Sequence, residues 1–216
     1  MITTIPDLDI YLLYYLDISS IMSLSTISKQ EYILLSDQKF IKQLRLLLPE
    51  AHWYNNIINQ ASSYNYIETL EWFKNSKHEF KYTCGAITSA SAKGYVTVLD
   101  WYDNSGYEFK YDCRAIDNAS QMGHVSILDW FDKSKYEFKY NRAIDLAIRY
   151  GRINILEWFD KSKYDFNYSK YALSYALELG YFNILEWFIS SPYELKYSSK
   201  TKIPAIHIIK WIRTHK

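Results

Sequence analysis

The sequence predicts an all-α fold: an α-solenoid of stacked helix-turn-helix repeats with short extended loops, preceded by a small N-terminal helical segment. Three observations carry this. Trp72, Trp101, Trp130, Trp158 and Trp187 are spaced by 29, 29, 28 and 29 residues, each preceded by Leu and an acid. Gly94, Gly123, Gly151 and Gly180 recur at one position of the same period. Each period then closes on an alternation of aromatic and charged residues, as in Tyr136-Glu137-Phe138-Lys139-Tyr140.

The first helix of the unit is clearest from Ala115 onward, where Ile116, Ala119, Ser120 and Gly123 fall at i, i+3, i+4 and i+7, one face of a helix. Its counterparts begin at Ala86, Ala143 and Ala172, with a weaker one at Ile57. The recurring glycine follows, where a helix ending in the left-handed conformation favours a residue without a Cβ. Asn65 stands there in the first copy, the next best residue for that backbone. Ile127, Leu128 and Phe131, with Trp130 beside them, give a second helix with an apolar stripe.

The closing segments are 107–111, 136–140, 164–168 and 193–197, with 78–82 as the first copy. Their period of two predicts extended chain, aromatic on one side and charged on the other. The tryptophans are expected as mortar between repeats: burying about 150–250 Å² each at about 25 cal/mol per Å² gives about 4–6 kcal/mol gross. The acids before them, Glu71, Asp100, Asp129, Glu157 and Glu186, are expected as a solvated row on one outer face.

Residues 49–216 are assigned to the array, with repeats at about 51–83, 84–112, 113–140, 141–169 and 170–198. A C-terminal cap at 199–216 lacks the glycine and has Lys210 for the acid. Residues 1–48 do not follow the period. There Pro6 sits near a helix start, Leu12, Leu13 and Leu16 line that helix, and two further apolar-patterned stretches follow, read as an interaction segment or a plain N-terminal cap.

Composition narrows the function. Lys+Arg number 25 against 24 Asp+Glu, so no positive field concentrates the chain on nucleic acid or anionic lipid. The start at Met1 has no basic, apolar signal sequence, and the longest apolar run, Ile10 to Leu16, is too short to span a bilayer. A cytoplasmic location, or a nuclear one, and a monomer are expected. Cys84 and Cys113 share one repeat position and read as small semi-buried thiols. No phosphate loop, metal-binding His-Glu-x-x-His or nucleophile elbow occurs. Neither catalysis, a cofactor nor a metal is expected.

Positions that repeat are those stacking constrains, and positions that vary are expected to be open to a partner. On the first helix these are Thr88-Ser89, Asp117-Asn118, Asp145-Leu146 and Ser174-Tyr175, then Ala92-Lys93, Gln121-Met122, Arg149-Tyr150 and Glu178-Leu179. Met122, Tyr150, Tyr175 and Leu179 are the expected apolar anchors of a protein interface, with Asn118, Leu146 and Lys93 beside them.

The phrase Ala119-Ser120-Gln121-Met122-Gly123-His124-Val125-Ser126-Ile127-Leu128 resembles the core of the ankyrin repeat. The resemblance covers residues 51–216. It departs from the family in lacking the Thr-Pro-Leu-His opening and in its shorter period. The variant with Leu-Asp/Glu-Trp-Phe and Tyr-Glu-Phe-Lys-Tyr is similar to ankyrin-like arrays of giant DNA viruses that infect amoebae. Residues 1–48, from Ile5-Pro6-Asp7 through the leucine-rich stretch to Ser36-Asp37, resemble an F-box, with Ser28-Lys29-Gln30-Glu31 where the family has Cys-Lys-x-Trp. That resemblance implies that Ile5, Pro6, Leu12, Leu16, Ile21 and Leu24 face a Skp-type adaptor. The chain would then be a substrate receptor that links a target, a host protein, to an SCF-type ubiquitin ligase. The alternative is an ankyrin-like binding scaffold with no ligase role.

Overall fold

Helices of seven to ten residues are too short to persist alone in water, so this chain's helices depend on the neighbours they pack against. The computed structural model describes residues 58–75 and 80–196. Among them a helical segment at 58–63 is followed by α1 (Ile67–Asn75), α2 (Cys84–Ala92), α3 (Val96–Ser105), α4 (Arg114–Met122) and α5 (Val125–Lys133). Then come α6 (Ala143–Arg149), α7 (Ile153–Lys161), α8 (Ala172–Leu179) and α9 (Phe182–Ser190), with no strand among the described residues. The all-α expectation holds, and the helices come as hairpins in the predicted order.

The described residues divide into two compact units, one of 58–90 and 97–111, the other of 91–96 and 112–196. In the second, α6 packs between α4 and α8, and α7 contacts both α5 and α9. First helices thus form one row and second helices another, each first helix also touching the second helix of its own hairpin. The small-residue face predicted for the first helix is what closes this row: Ala115, Ala119, Ala143, Ala147, Ala172 and Ala176 are all buried.

The turns between paired helices are made as predicted. Gly123 has φ +85°, and the His124 N–H reaches back to the Ala119 carbonyl at 2.9 Å while the Gly123 N–H bonds Ser120 O. Asn65 takes φ +59° in the first copy. A second reason for glycine comes from the next repeat. A Cβ on Gly94 would lie 2.8 Å from His124 Nδ1, and one on Gly151 would lie 3.1 Å from the Tyr181 ring. The residue after each of these later glycines lies against the glycine of the hairpin before it.

The second helices end on a device that recurs in four copies. Ser105, Ser134, Ser162 and Ser191 each donate from Oγ to the carbonyl three residues back, at 2.8 to 2.9 Å. Each also accepts the N–H two residues on, which turns the chain into the extended segment. There Glu108, Lys110, Glu137, Lys139, Asp165 and Asn167 face water, while Phe109 and Tyr168 are buried and Tyr107, Tyr136, Phe138, Tyr140, Tyr164 and Phe166 half-buried.

The core beat is one residue later than expected. Phe131, Phe159 and Phe188 are almost fully covered, as is Tyr102 at the same position, whereas Trp130, Trp158 and Trp187 are half-buried and Trp101 is buried. For Trp130, Trp158 and Trp187 the full-burial estimate therefore applies to the following aromatic instead. The indoles of Trp158 and Trp187 lie at the edge, where each meets a phenylalanine of the preceding extended segment. Phe138 is 5.3 Å from Trp158 and 4.0 Å from Tyr164, and Phe166 is 5.6 Å from Trp187 and 3.9 Å from Tyr193. The first unit repeats this with Phe80, 5.6 Å from Trp101 and 4.3 Å from Tyr107.

Candidate partner-binding face

A first helix that buries one stripe leaves the opposite stripe uncovered, and here that stripe carries exposed apolar side chains. Asn118 and Met122 on α4, and Tyr175 and Leu179 on α8, are pairs four residues apart, which stack along one helix face. Leu146 on α6 and Tyr150, the residue that ends that helix, are the third such pair. Met122 is 47% exposed, Tyr150 38%, Tyr175 40% and Leu179 56%, whereas Asn118 and Leu146 are half-buried. Since α4, α6 and α8 lie side by side, these pairs share one face of the second unit. Tyr171 and Phe182, outside the predicted set, are also exposed in its last hairpin. Lys93, at the end of the first helix two hairpins before Tyr150, is exposed as well.

Arg149 ties two of the three helices together. Its guanidinium carbon lies 4.5 Å from the centre of the Tyr175 ring on α8 and 5.9 Å from that of Tyr150. Such cation–π contacts hold the charge at the surface without neutralising it. Varying residues could mark Arg149, but its position between two tyrosines of different repeats follows only from how α6 and α8 stack.

Not every varying position is open. Asp117 is only 6% exposed, and its Oδ1 accepts the N–H of Asn141 at 3.0 Å and of Arg142 at 2.9 Å. Asp145 Oδ1 accepts the Ser169 N–H at 2.7 Å, and in the first unit Asn59 Oδ1 accepts the Thr83 N–H at 3.2 Å. All three stand 13 residues before their tryptophan, so the position is a clamp on the approach to the following first helix. Thr88 and Ser174 at the same position are buried too. The expectation that these residues face a partner is corrected: identity varies there, but each is a small polar side chain. Burial pushes the Asp117 carboxyl above the usual carboxylate range, with the backbone donors of Asn141 and Arg142 opposing it.

Two of the acids before the tryptophans, Glu71 and Asp129, are corrected likewise, while Glu157 and Glu186 stand exposed as expected. Trp101 Nε1–H donates to Glu71 Oε1 at 2.6 Å, and Trp158 Nε1–H donates to Asp129 Oδ1 at 2.7 Å. These two carboxylates are acceptors for the indole of the next repeat, not a merely solvated row. A second set of acids works alongside them. Asp132 Oδ1 accepts the Tyr164 hydroxyl at 3.0 Å and pairs with Lys163 at 2.9 Å, and Asp160 Oδ1 accepts the Tyr193 hydroxyl at 2.9 Å. Lys163, then Tyr164, hold the Asp132 carboxyl below its ordinary range. Burial, then Asp160, pushes the Tyr193 phenol up to about 12.

The residues predicted to face an adaptor, Ile5, Pro6, Leu12, Leu16, Ile21 and Leu24, lie outside the described residues. Cys84 and Cys113 are half-buried. Among the described residues no group of three His, Cys, Asp or Glu side chains gathers where it could hold a metal ion, and no helix is long and apolar enough to cross a membrane. The chemistry the face offers is coverage of apolar surface around the Arg149 cation. No protein-family model matches the chain, and no curated protein matches it in sequence.

Proposed function

We propose that the protein is a non-catalytic, ankyrin-like repeat scaffold that holds another protein on the first-helix face of α4, α6 and α8. The observation that carries this is the exposure of Met122, Tyr150, Tyr175 and Leu179 on one row of packed helices. Exposed apolar side chains scattered singly are ordinary on a protein surface, but a run of them on adjacent helices marks a contact surface. The stacking hydrogen bonds engage the clamp residues, the indoles and the tyrosine hydroxyls, and leave these four side chains aside. The F-box-like sequence of residues 1–48 extends the reading to a substrate receptor that brings the bound protein to a Skp-type adaptor of a ubiquitin ligase.

The two halves are tested separately with the full chain. Replacing Met122, Tyr175 and Leu179 together by Ala abolishes partner binding without lowering the melting temperature. Co-purification of the full chain with a recombinant Skp-type adaptor is lost on Pro6→Ala with Leu16→Ala. Absence of any adaptor complex with the unaltered chain removes the ligase role and leaves the scaffold.

A further inference from the structure

The face has a charge as well as an apolar surface, and that charge selects among partners. Arg149 stands at its centre, held over Tyr175 at 4.5 Å and beside Tyr150 at 5.9 Å. Among the described residues no carboxylate pairs with it. Two of the acids on these helices are engaged elsewhere: Asp117 and Asp145 accept backbone N–H groups. Glu178 occupies the same repeat position on α8 as Arg149 does on α6, yet the two form no ion pair, and the guanidinium turns to the tyrosine ring. Arg142 and Lys170, at the starts of α6 and α8, are exposed.

A guanidinium over an aromatic ring spends none of its N–H donors on that ring, and a carboxylate can take two of them in parallel hydrogen bonds. The flanking tyrosines and the exposed methionine and leucine remove water from such a pair when a partner covers them, which strengthens it. From this arrangement we infer that the occupant is an acidic peptide segment: one carboxylate pairs with Arg149, and flanking apolar side chains cover Met122, Tyr150, Tyr175 and Leu179. This inference rests on the scaffold reading and adds the partner's chemistry to it.

The test selects ligands from a phage-displayed library of random 16-residue peptides against the immobilised full chain. Affinities are then measured for the unaltered protein, Arg149→Glu, Arg149→Gln and the Met122→Ala/Tyr175→Ala/Leu179→Ala variant. The expected ligands carry Asp or Glu between aromatic or aliphatic residues. Their affinity falls by on the order of tenfold with Arg149→Gln and further with Arg149→Glu. Peptides with that acid changed to Lys recover binding to Arg149→Glu. Ligands that need the three apolar side chains yet show no acidic enrichment and bind Arg149→Gln unchanged overturn the acidic inference and leave the scaffold reading standing. Ligands that bind the triple-alanine variant as tightly as the unaltered chain overturn both.

Discussion

The indole of Trp158 donates a 2.7 Å hydrogen bond to the carboxylate of Asp129, the residue that precedes the tryptophan of the repeat before it. In these copies the Leu-Asp/Glu-Trp phrase works between repeats: the acid of one receives the indole of the next, as Glu71 also does for Trp101. Asp129→Ala removes the acceptor and leaves a half-buried indole N–H, with an expected loss of about 1–2 kcal/mol in urea denaturation. Asp129→Asn keeps an acceptor oxygen at the same place and is expected to cost less than half of that. Equal losses for the two variants would show that charge, not the acceptor, is what the indole requires.

At the clamp position the sign is reversed. Asp117 has its carboxyl pushed above the ordinary carboxylate range of about 3.8 by burial, so the folded protein holds this proton more tightly than the unfolded chain does. Stability from this group is greatest below the unfolded value and falls as pH rises through the raised folded one. Asp117→Asn keeps the Oδ1 that receives the Asn141 and Arg142 N–H groups and discards the buried charge. It is expected to match or exceed the unaltered protein at neutral pH, with the advantage shrinking as pH falls to about 4. Asp117→Ala strands two backbone donors and is expected to cost about 1–3 kcal/mol at either pH. Urea titrations at the two pH values decide it.

The glycine contacts give a matched pair of substitutions. Gly106 has φ +85° and nothing within 4 Å of a built Cβ, whereas Gly94 has φ +76° and His124 Nδ1 at 2.8 Å. Gly106→Ala is expected to cost about 1–2 kcal/mol, the conformational penalty alone. Gly94→Ala is expected to cost more by about 1–3 kcal/mol, the range for overpacking, and His124→Ala in the same chain is expected to return most of the excess. Thermal melts of the three variants read this directly.

Tyr102 shows what a hydroxyl does at the core beat. Its OH lies 2.9 Å from the buried Ser62 Oγ, which also bonds the Ile58 carbonyl at 2.8 Å. Burial raises the Tyr102 phenol well above its ordinary range. Ser120 stands ten residues before its tryptophan, as Ser62 does, but the next repeat offers Phe159, and the Ser120 Oγ is buried without a hydrogen-bond partner. Phe159→Tyr supplies the missing hydroxyl and is expected to stabilise the fold by about 0.5–1 kcal/mol. A loss of stability in chemical denaturation would mean that the packing around Phe159 has no room for one more atom.

What was legible in the sequence is what lies within one repeat. The glycine turns, Asn65 as their substitute, and the alternating segment are set by local backbone and by periods of 3.6 and 2, so one copy suffices to read them. The recurring serines after the second helix were equally local, and their signal was there at a fixed distance past each tryptophan. Relations between repeats were not legible in the same way. Periodicity says that an acid and a tryptophan recur, but whether they meet depends on the register in which hairpins stack, which places Asp129 on Trp158 and not on its neighbour Trp130. The same register moves the fully buried aromatic from Trp158 to Phe159. Variation proved an imperfect guide to open surface, because Asn59 differs in name from Asp117 and Asp145 while sharing with them an acceptor oxygen that the stack uses. At Met122, Tyr150, Tyr175 and Leu179 the varying residues do stand exposed, because no stacking hydrogen bond calls on them.

Whether the variable face, and not the regular Trp beat, is the part that binds is decided by one comparison of affinity with stability. Ligands selected on the full chain are titrated against the Met122→Ala/Tyr175→Ala/Leu179→Ala variant and against Asp129→Ala, with a melting curve for each. The account predicts that the first loses binding at an unchanged melting temperature, while the second melts earlier and, below its melting range, binds as before. Binding retained by the triple variant, or lost by Asp129→Ala at a temperature where it is fully folded, contradicts it.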